Sequence, residues 1–158
     1  RIGFAARSEG RKNPRYLDGL PSYVFTNSSE FNVLWKNGLT MDTRKMKVYH
    51  YKSEYRDVFY NMDWGISHSC FNNEPFGYGI FEAVDYGKLP ILHKTWCKDF
   101  NYPYRASSKK EFGDIYTKLI ETPYEEKNQW FLSLKSYMKE NFTDKDRWIE
   151  ELVYIYNI

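Results

Sequence analysis

The chain has 158 residues with 23 Lys plus Arg and 21 Asp plus Glu, so its formal net charge is +2. This length fits one domain and excludes a second full domain, while the small charge excess disfavours a protein that binds a phosphate backbone. Hydrophobic residues make up 42% and aromatic residues 20% of the chain, which is enough apolar area to exclude a disordered protein.

Strands and helices alternate in the first half of the predicted structure. Short apolar or alternating runs predict strands at Arg1–Ala6, Ser22–Thr26, Lys47–Tyr51, Trp64–Ser67 and Pro90–Leu92. Helical spacing and capping residues predict helices at about Ser29–Lys36, Glu54–Met62 and Tyr78–Tyr86, the last closed by Gly87. A polar loop from Arg7 to Pro14 follows the first strand and could reach a phosphate.

The pattern changes in the second half. An aromatic loop is predicted at Thr95–Ser108, followed by helices at Lys110–Glu121 and Glu125–Glu140 and by a last helix that carries Trp148, Leu152 and Tyr156 on one face. We therefore predict an α/β fold, with a Rossmann-like parallel sheet, helices on both faces and extra C-terminal helices. In such folds ligands bind at the carboxyl ends of the strands.

Three observations bear on the compartment and on the extent of the chain. No apolar run is long enough to span a bilayer, and the start lacks a signal-peptide pattern, so we expect no stable membrane insertion. Cys70 and Cys97 are too few for a disulfide framework, which favours a cytoplasmic location. The chain opens with Arg1 rather than Met, directly on a predicted strand, so we expect a piece of a longer protein.

The strongest motif runs from Glu74 to Ala83. It places one carboxylate in a loop before a helix and a second, Glu82, within that helix. Gly77 and Gly79 lie between them and let the backbone approach a ligand, while N–H groups at the helix start can face a phosphate. This arrangement predicts a sugar-diphosphate site, with the anion at the helix start and hydroxyl groups on the carboxylates.

The spacing Glu-x7-Glu, with Phe-Gly after the first Glu, Glu-Ala at the second and Gly-x-x-Pro-Ile beyond, resembles the signature of a large family of retaining glycosyltransferases (family 4, GT-B fold). That family includes bacterial sucrose and mannosyl transferases. The resemblance covers roughly residues 1–120. It implies that residues 1–158 form the C-terminal domain, which binds the nucleotide sugar, and that the N-terminal acceptor-binding domain is absent from this chain.

The resemblance also assigns roles to residues. Glu74 would contact hydroxyl groups of the donor sugar, and Glu82 would contact the ribose of the nucleotide. Arg7 and Lys12 match an Arg and a Lys, five positions apart, that bind the donor diphosphate and stabilise it as it leaves. Arg11 is a nearby competitor for that role, as is Arg15. Backbone groups of four residues would hold the sugar and the phosphates: Phe76, Gly77, Tyr78 and Gly79.

The resemblance implies no cofactor, and a UDP-sugar is the expected donor, with GDP- and ADP-sugars as open alternatives. His68 with Cys70, and His93 with Cys97, lack a zinc-site spacing, so no metal is expected. His68 and Ser69 could line the donor pocket. Three aromatic residues of the predicted loop could stack on a base, although such a loop more often packs in the core or forms a domain interface: Phe100, Tyr102 and Tyr104.

The predicted function is retaining sugar transfer from a nucleotide sugar to an acceptor, with this chain binding the donor and showing little transfer by itself. Two alternatives remain open. The first is a nucleotide-binding or interaction module without transferase activity. The second is a phage-type glucosyltransferase that acts on modified DNA bases, which would make a nucleic acid the acceptor; the near-neutral charge gives this no support.

Overall fold

The computed structural model describes residues 1–6, 10–26, 55–74 and 76–142, and the main chain of residues 46–50. Six strands form one sheet in which every described pair is parallel. The predicted Rossmann-like α/β fold is therefore confirmed. The strands are β1 (Ile2–Ala5), β2 (Ser22–Thr26), β3 (Met46–His50), β4 (Ile66–Ser69), β5 (Leu89–His93) and β6 (Arg105–Ala106).

The strand order is β3-β2-β1-β4-β5-β6. Ile2 pairs with Ser22 on one side and with Ile66 on the other, so β1 lies between β2 and β4. The direction in which successive strands are added reverses at β1. In open parallel sheets, such a reversal separates the loops at the carboxyl ends of the strands and leaves a crevice between them.

β4 and β6 depart from the sequence prediction, and the other four strands agree with it to within one residue. β4 begins at Ile66 rather than Trp64, because Trp64 is a core residue before the strand and donates its indole N–H to the carbonyl of Phe59 (2.8 Å). β6 lies within the segment predicted to be an aromatic loop, and it pairs with β5 through only two residues.

The described helices are α1 (Arg56–Tyr60), α2 (Tyr78–Asp85), α3 (Lys109–Glu121) and α4 (Tyr124–Phe142). α1 is shorter than the predicted Glu54–Met62, and the other three agree with prediction to within two residues. Two short 3-10 turns, Gly10–Lys12 and Pro14–Leu17, follow β1. The predicted helices at about 29–36 and after residue 143 lie outside the described residues.

One face of the sheet is covered by α1 and α2. Phe59, Tyr60 and Trp64 pack there with the β2 aromatics and with Ala83 of α2. A Cβ atom at Gly3 would lie 2.2 Å from Cε3 of Trp64. Only glycine therefore fits in β1 beneath this indole ring.

The opposite face is covered by α3. Phe112 of α3 packs on His68 of β4, with ring centroids 4.7 Å apart, and His68 packs on Phe4 of β1. All three side chains are buried. The prediction of helices on both faces is thus confirmed.

The chain divides into two compact units, residues 1–122 and 123–158. In the described part of the second unit, α4 is a helix of 19 residues, with Glu125 and Glu126 in its first turn, where the helix dipole favours negative charge. Among the described helices, none combines the length and the apolar character needed to cross a bilayer.

Candidate functional site

A cavity of about 280 Å³ opens at the carboxyl ends of β1 and β2. It lies at the reversal of strand order, where parallel α/β sheets bind their ligands. Three cationic and two carboxylate side chains line it, a formal excess of one positive charge. The lining residues are Ala5, Ala6, Arg11, Lys12, Phe25, Arg56, Tyr60, Phe71, Glu74, Tyr78, Gly79 and Glu82.

Lys12 and Glu74 meet in this cavity although 62 positions separate them. The Lys12 ammonium group donates a hydrogen bond to Oε2 of Glu74, and each side chain is 13% exposed. The ammonium nitrogen also lies 4.4 Å from the centroid of the Phe71 ring, a favourable cation–π distance. The 3-10 turn after β1 and the loop after β4 therefore place one cation and one carboxylate side by side.

The start of α2 forms the adjoining wall. Its N-cap residue is Gly77, with φ 90° and ψ 52°, and no side chain caps the helix. Tyr78 and Gly79 line the cavity, and a Cβ atom at Gly79 would lie 3.6 Å from the carbonyl oxygen of Ala5. The N–H of Ile80 already donates to the carbonyl of Gly77 (2.9 Å), whereas the N–H groups of Tyr78 and Gly79, the first two of the helix, have no acceptor within it. The positive end of α2 thus lies against the end of β1.

Trp96, which follows β5, holds the loop before α2 in place. Trp96 donates its indole N–H to the carbonyl oxygen of Phe76 at 3.1 Å. A Cβ atom at Gly77 would approach Ile80 Cδ1 to 2.8 Å and Trp96 Nε1 to 3.0 Å. The positive φ and the close packing both require glycine at this position.

Glu82 lies one turn into α2 and forms an ion pair with Arg56, with Nε and Oε1 2.9 Å apart. This contact lacks hydrogen-bond geometry, and Oε1 is buried without a hydrogen bond. Burial raises the pKa of Glu82, the Arg56 guanidinium opposes that rise, and nearby Asp85 and Asp57 add to it. Because Oε1 is buried against Arg56 while the Glu82 side chain as a whole is 25% exposed, Oε2 is the oxygen that a ligand in the cavity would approach.

Most of the residues predicted for the site lie together. Lys12, Glu74 and Glu82 line the cavity with Tyr78 and Gly79. Two others lie beside the cavity rather than in its wall: Phe76, whose carbonyl is bonded to Trp96, and Gly77, which faces Ile80 and Trp96. Arg7 lies outside the described residues, as does Pro75.

Two cations of the cavity were not chosen from the sequence. Arg11, considered only as a competitor for the diphosphate, lines the cavity next to Lys12. Arg56 begins α1 and has no motif around it, so only its position in the fold, opposite Glu82, shows that it belongs to the site.

Other candidates from the sequence are core residues. His68 is 1% exposed and lies outside the cavity wall, and Ser69, also 1% exposed, is bonded to Ser67. Tyr102 and Tyr104 are buried, with the Tyr102 hydroxyl donating to the carbonyl of Pro90 (2.6 Å), so the interpretation that these two stack on a base is wrong. Within the described ranges, no group of three or more His, Cys, Asp or Glu residues is arranged to hold a metal ion.

Comparison with known proteins adds no relative: no family model, curated protein or solved structure matches this chain. The geometry of the cavity and the Glu74 to Glu82 motif are therefore the two indications of function.

Proposed function

We propose that the cavity binds the diphosphate and sugar of a nucleotide sugar, and that this chain is the donor-binding part of a retaining glycosyltransferase. One observation carries the proposal. Two distant segments of sequence, 11–12 and 74–82, supply cations, carboxylates and an uncapped helix start to one cavity where the strand order reverses. Each of these groups matches a different part of a nucleotide sugar.

The diphosphate is the part that Lys12 and the start of α2 would bind. Lys12 is mostly buried and pairs with Glu74, so its charge is held in place before any ligand arrives. Arg11 lies on the same wall. Cations and a helix N-terminus that line one cavity favour an anion there, and they favour it more as the anomeric C–O bond breaks and its electron pair passes to the diphosphate.

The hydroxyl groups of the ligand are the partners that suit the two carboxylates. Glu82 lines the cavity, and with Oε1 buried against Arg56 its Oε2 would accept a ribose hydroxyl. Glu74 has two oxygens, of which Oε2 takes the Lys12 bond, so it can accept a sugar hydroxyl while still neutralising Lys12. Carboxylates accept such bonds strongly because the acceptor is charged.

Titration calorimetry with UDP, GDP and ADP, their sugars and the parent nucleosides tests the proposal. We expect Lys12→Met to weaken binding of the diphosphates about 10- to 100-fold, because a charged hydrogen bond is lost, and to leave nucleoside binding unchanged. Glu82→Gln is expected to weaken the nucleoside and the diphosphate alike. Lys110→Met is the matched control, because Lys110 is 87% exposed and pairs with Asp114 on α3.

Failure of the wild-type protein to bind any of these ligands would reject the proposal. Binding that Lys12→Met and Glu82→Gln leave unchanged would place the ligand elsewhere and reject the site. Binding without transfer to any acceptor, once an acceptor-binding partner domain is supplied, would instead favour a nucleotide-binding module.

A further inference from the structure

His68 is a buried imidazole that is bonded to the segment carrying Lys12. Its Nε2 lies 2.8 Å from the carbonyl oxygen of Asn13, and the backbone N–H of Cys70 donates to its Nδ1 at 3.2 Å. Because a backbone N–H can only donate, Nδ1 must accept and the ring hydrogen must be on Nε2. The imidazole therefore donates to Asn13 in a single tautomer.

The ring has little freedom to move. It is 1% exposed and stacks on Tyr16, with an angle of 7° between the ring planes, and it also contacts Phe4 and Phe112. Burial lowers the pKa of His68 to about 4, so the ring is neutral near pH 7. The Asn13 carbonyl is therefore held by a fixed, uncharged donor on β4.

Asn13 directly follows Lys12 and has the left-handed backbone conformation, with φ 53° and ψ 46°. Its side-chain amide donates to the carbonyl of Cys70 (2.7 Å) and to Oδ1 of Asn72 (3.1 Å). On the other side of Lys12, the carbonyl of Arg11 accepts from the backbone N–H of Asn72 at 2.7 Å. Lys12 is thus held from both sides against the segment that leads to Glu74.

From these contacts we infer that His68 is a positioning residue of the anion site: through the Asn13 carbonyl it fixes the direction in which Lys12 points. This inference rests on the proposed function. His68 does not line the cavity, so any effect on a ligand must pass through a neighbour. Two neighbours connect it to the cavity: the 11–13 segment, through the bond to Asn13, and Phe71, whose ring centroid lies 5.8 Å from that of the imidazole. The double-mutant cycle with Lys12 distinguishes these routes. A residue that only filled space on this face of the sheet would need no polar atoms. The imidazole instead satisfies a buried N–H and a carbonyl, and the second of these belongs to the residue next to Lys12.

Two amide replacements at His68 test the roles of the two ring nitrogens one at a time. The amide nitrogen of His68→Gln can reach the position of Nε2 and keep the bond to Asn13, whereas the shorter side chain of His68→Asn reaches only the position of Nδ1. Binding is measured for two ligands. One is whichever of UDP, GDP and ADP binds the wild-type protein most tightly, and the other is the parent nucleoside of that diphosphate. We expect His68→Asn to weaken diphosphate binding about tenfold and nucleoside binding less than about twofold, with His68→Gln close to the wild type.

A double-mutant cycle with Lys12→Met distinguishes positioning from general damage. If His68 acts through Lys12, His68→Asn should cost no further diphosphate affinity once Lys12 is gone. Equal losses for diphosphate and nucleoside, or additive losses in the cycle, would overturn the inference.

If His68→Asn does not fold, Asn13→Ala takes its place, because it removes the hydrogen bonds of the Asn13 side-chain amide and disfavours the left-handed backbone conformation. The same diphosphate-selective loss is then expected, and its absence overturns the inference.

A measurement without ligand separates this inference from the proposed function. The Lys12 ammonium nitrogen lies 4.4 Å from the Phe71 ring centroid, so the Lys12 Hε protons are expected to show a ring-current shift in NMR spectra. That shift should be lost in His68→Asn and restored in His68→Gln. Unchanged Lys12 signals in His68→Asn would overturn the positioning role. Failure of the wild-type protein to bind any nucleotide, with the Lys12 shift behaving as expected, would reject only the proposed function.

Discussion

Gly77 is the residue where the local backbone constrains the site most directly. Replacement by alanine would impose a side chain at φ 90° and bring Cβ to 2.8 Å from Ile80. We expect Gly77→Ala to lower the free energy of unfolding by about 2 kcal/mol. Gly113, in the middle of α3 with open space around it, is the matched control, and Gly113→Ala should raise stability by up to about 1 kcal/mol. Urea unfolding of both variants checks this, and a Gly77→Ala protein as stable as the wild type would contradict it.

His68 also predicts how stability depends on pH. Its pKa is about 4 in the folded protein and about 6.5 when unfolded, so the unfolded chain binds more protons between these values. Stability from the neutral ring is complete above about pH 6.5 and is lost as the pH falls towards 4. Stability falls as the pH falls because, between these two pKa values, His68 takes up a proton in the unfolded chain and not in the folded protein.

The measurement compares the wild type with His68→Gln, whose side chain does not titrate. His93, whose pKa is also lowered by burial, is present in both proteins and cancels. Between pH 7 and pH 4 the wild type should lose up to about 3 kcal/mol more stability than the variant. Parallel pH profiles for the two proteins would show that His68 titrates normally in the folded state.

At the scale of elements, the sequence predicts regular segments well and tertiary contacts poorly. Val24 and Phe25 of β2 make a strand predictable because β-branched and aromatic residues favour strands. β6 contains only Arg105 and Ala106 and shows no alternation, so nothing local marks it. The aromatic side chain of Trp64 led to a predicted start of β4 two residues too early. In the structure Trp64 lies before the strand and packs in the core against Gly3.

Arg105 of β6 orders the loop that leads to it. Its guanidinium donates to four carbonyl oxygens: those of His93 (3.1 Å), Trp96, Cys97 (2.9 Å) and Phe100 (3.1 Å). Lysine cannot reproduce this planar array of donors. We therefore expect Arg105→Lys to lower stability by about 2 kcal/mol and to speed proteolytic cleavage within residues 94–104.

Lys98→Met is the matched control for Arg105→Lys, because it changes an exposed cation of the same loop. Its cleavage rate should equal that of the wild type. Mass spectrometry of the first cleavage products locates the nicks. Cleavage outside this loop, or equal rates in all three proteins, would mean that Arg105 does not order the segment.

At the scale of the whole molecule, the predictable part of the site came from linear motifs. The Glu74 to Glu82 spacing can be seen in the sequence, and Lys12 has a recognisable distance from the first strand. Arg56 could not be found in this way, since its place in the cavity depends on how α1 crosses the sheet beside α2. The role of His68 was equally hidden, because its partner Asn13 is 55 positions away.

Since the cavity joins segments from β1, β2, α1 and α2, a bound ligand should stabilise the folded state as a whole. At a free concentration 100 times its Kd, a ligand adds about 2.7 kcal/mol to the free energy of unfolding. For a chain of this size that corresponds to a rise in Tm of roughly 5 to 10 °C. Differential scanning calorimetry with UDP measures the shift. At the same UDP concentration Lys12→Met should shift by about half as much or less, while Lys110→Met should match the wild type. An equal shift in all three proteins would mean that UDP stabilises the fold from a site that does not include Lys12.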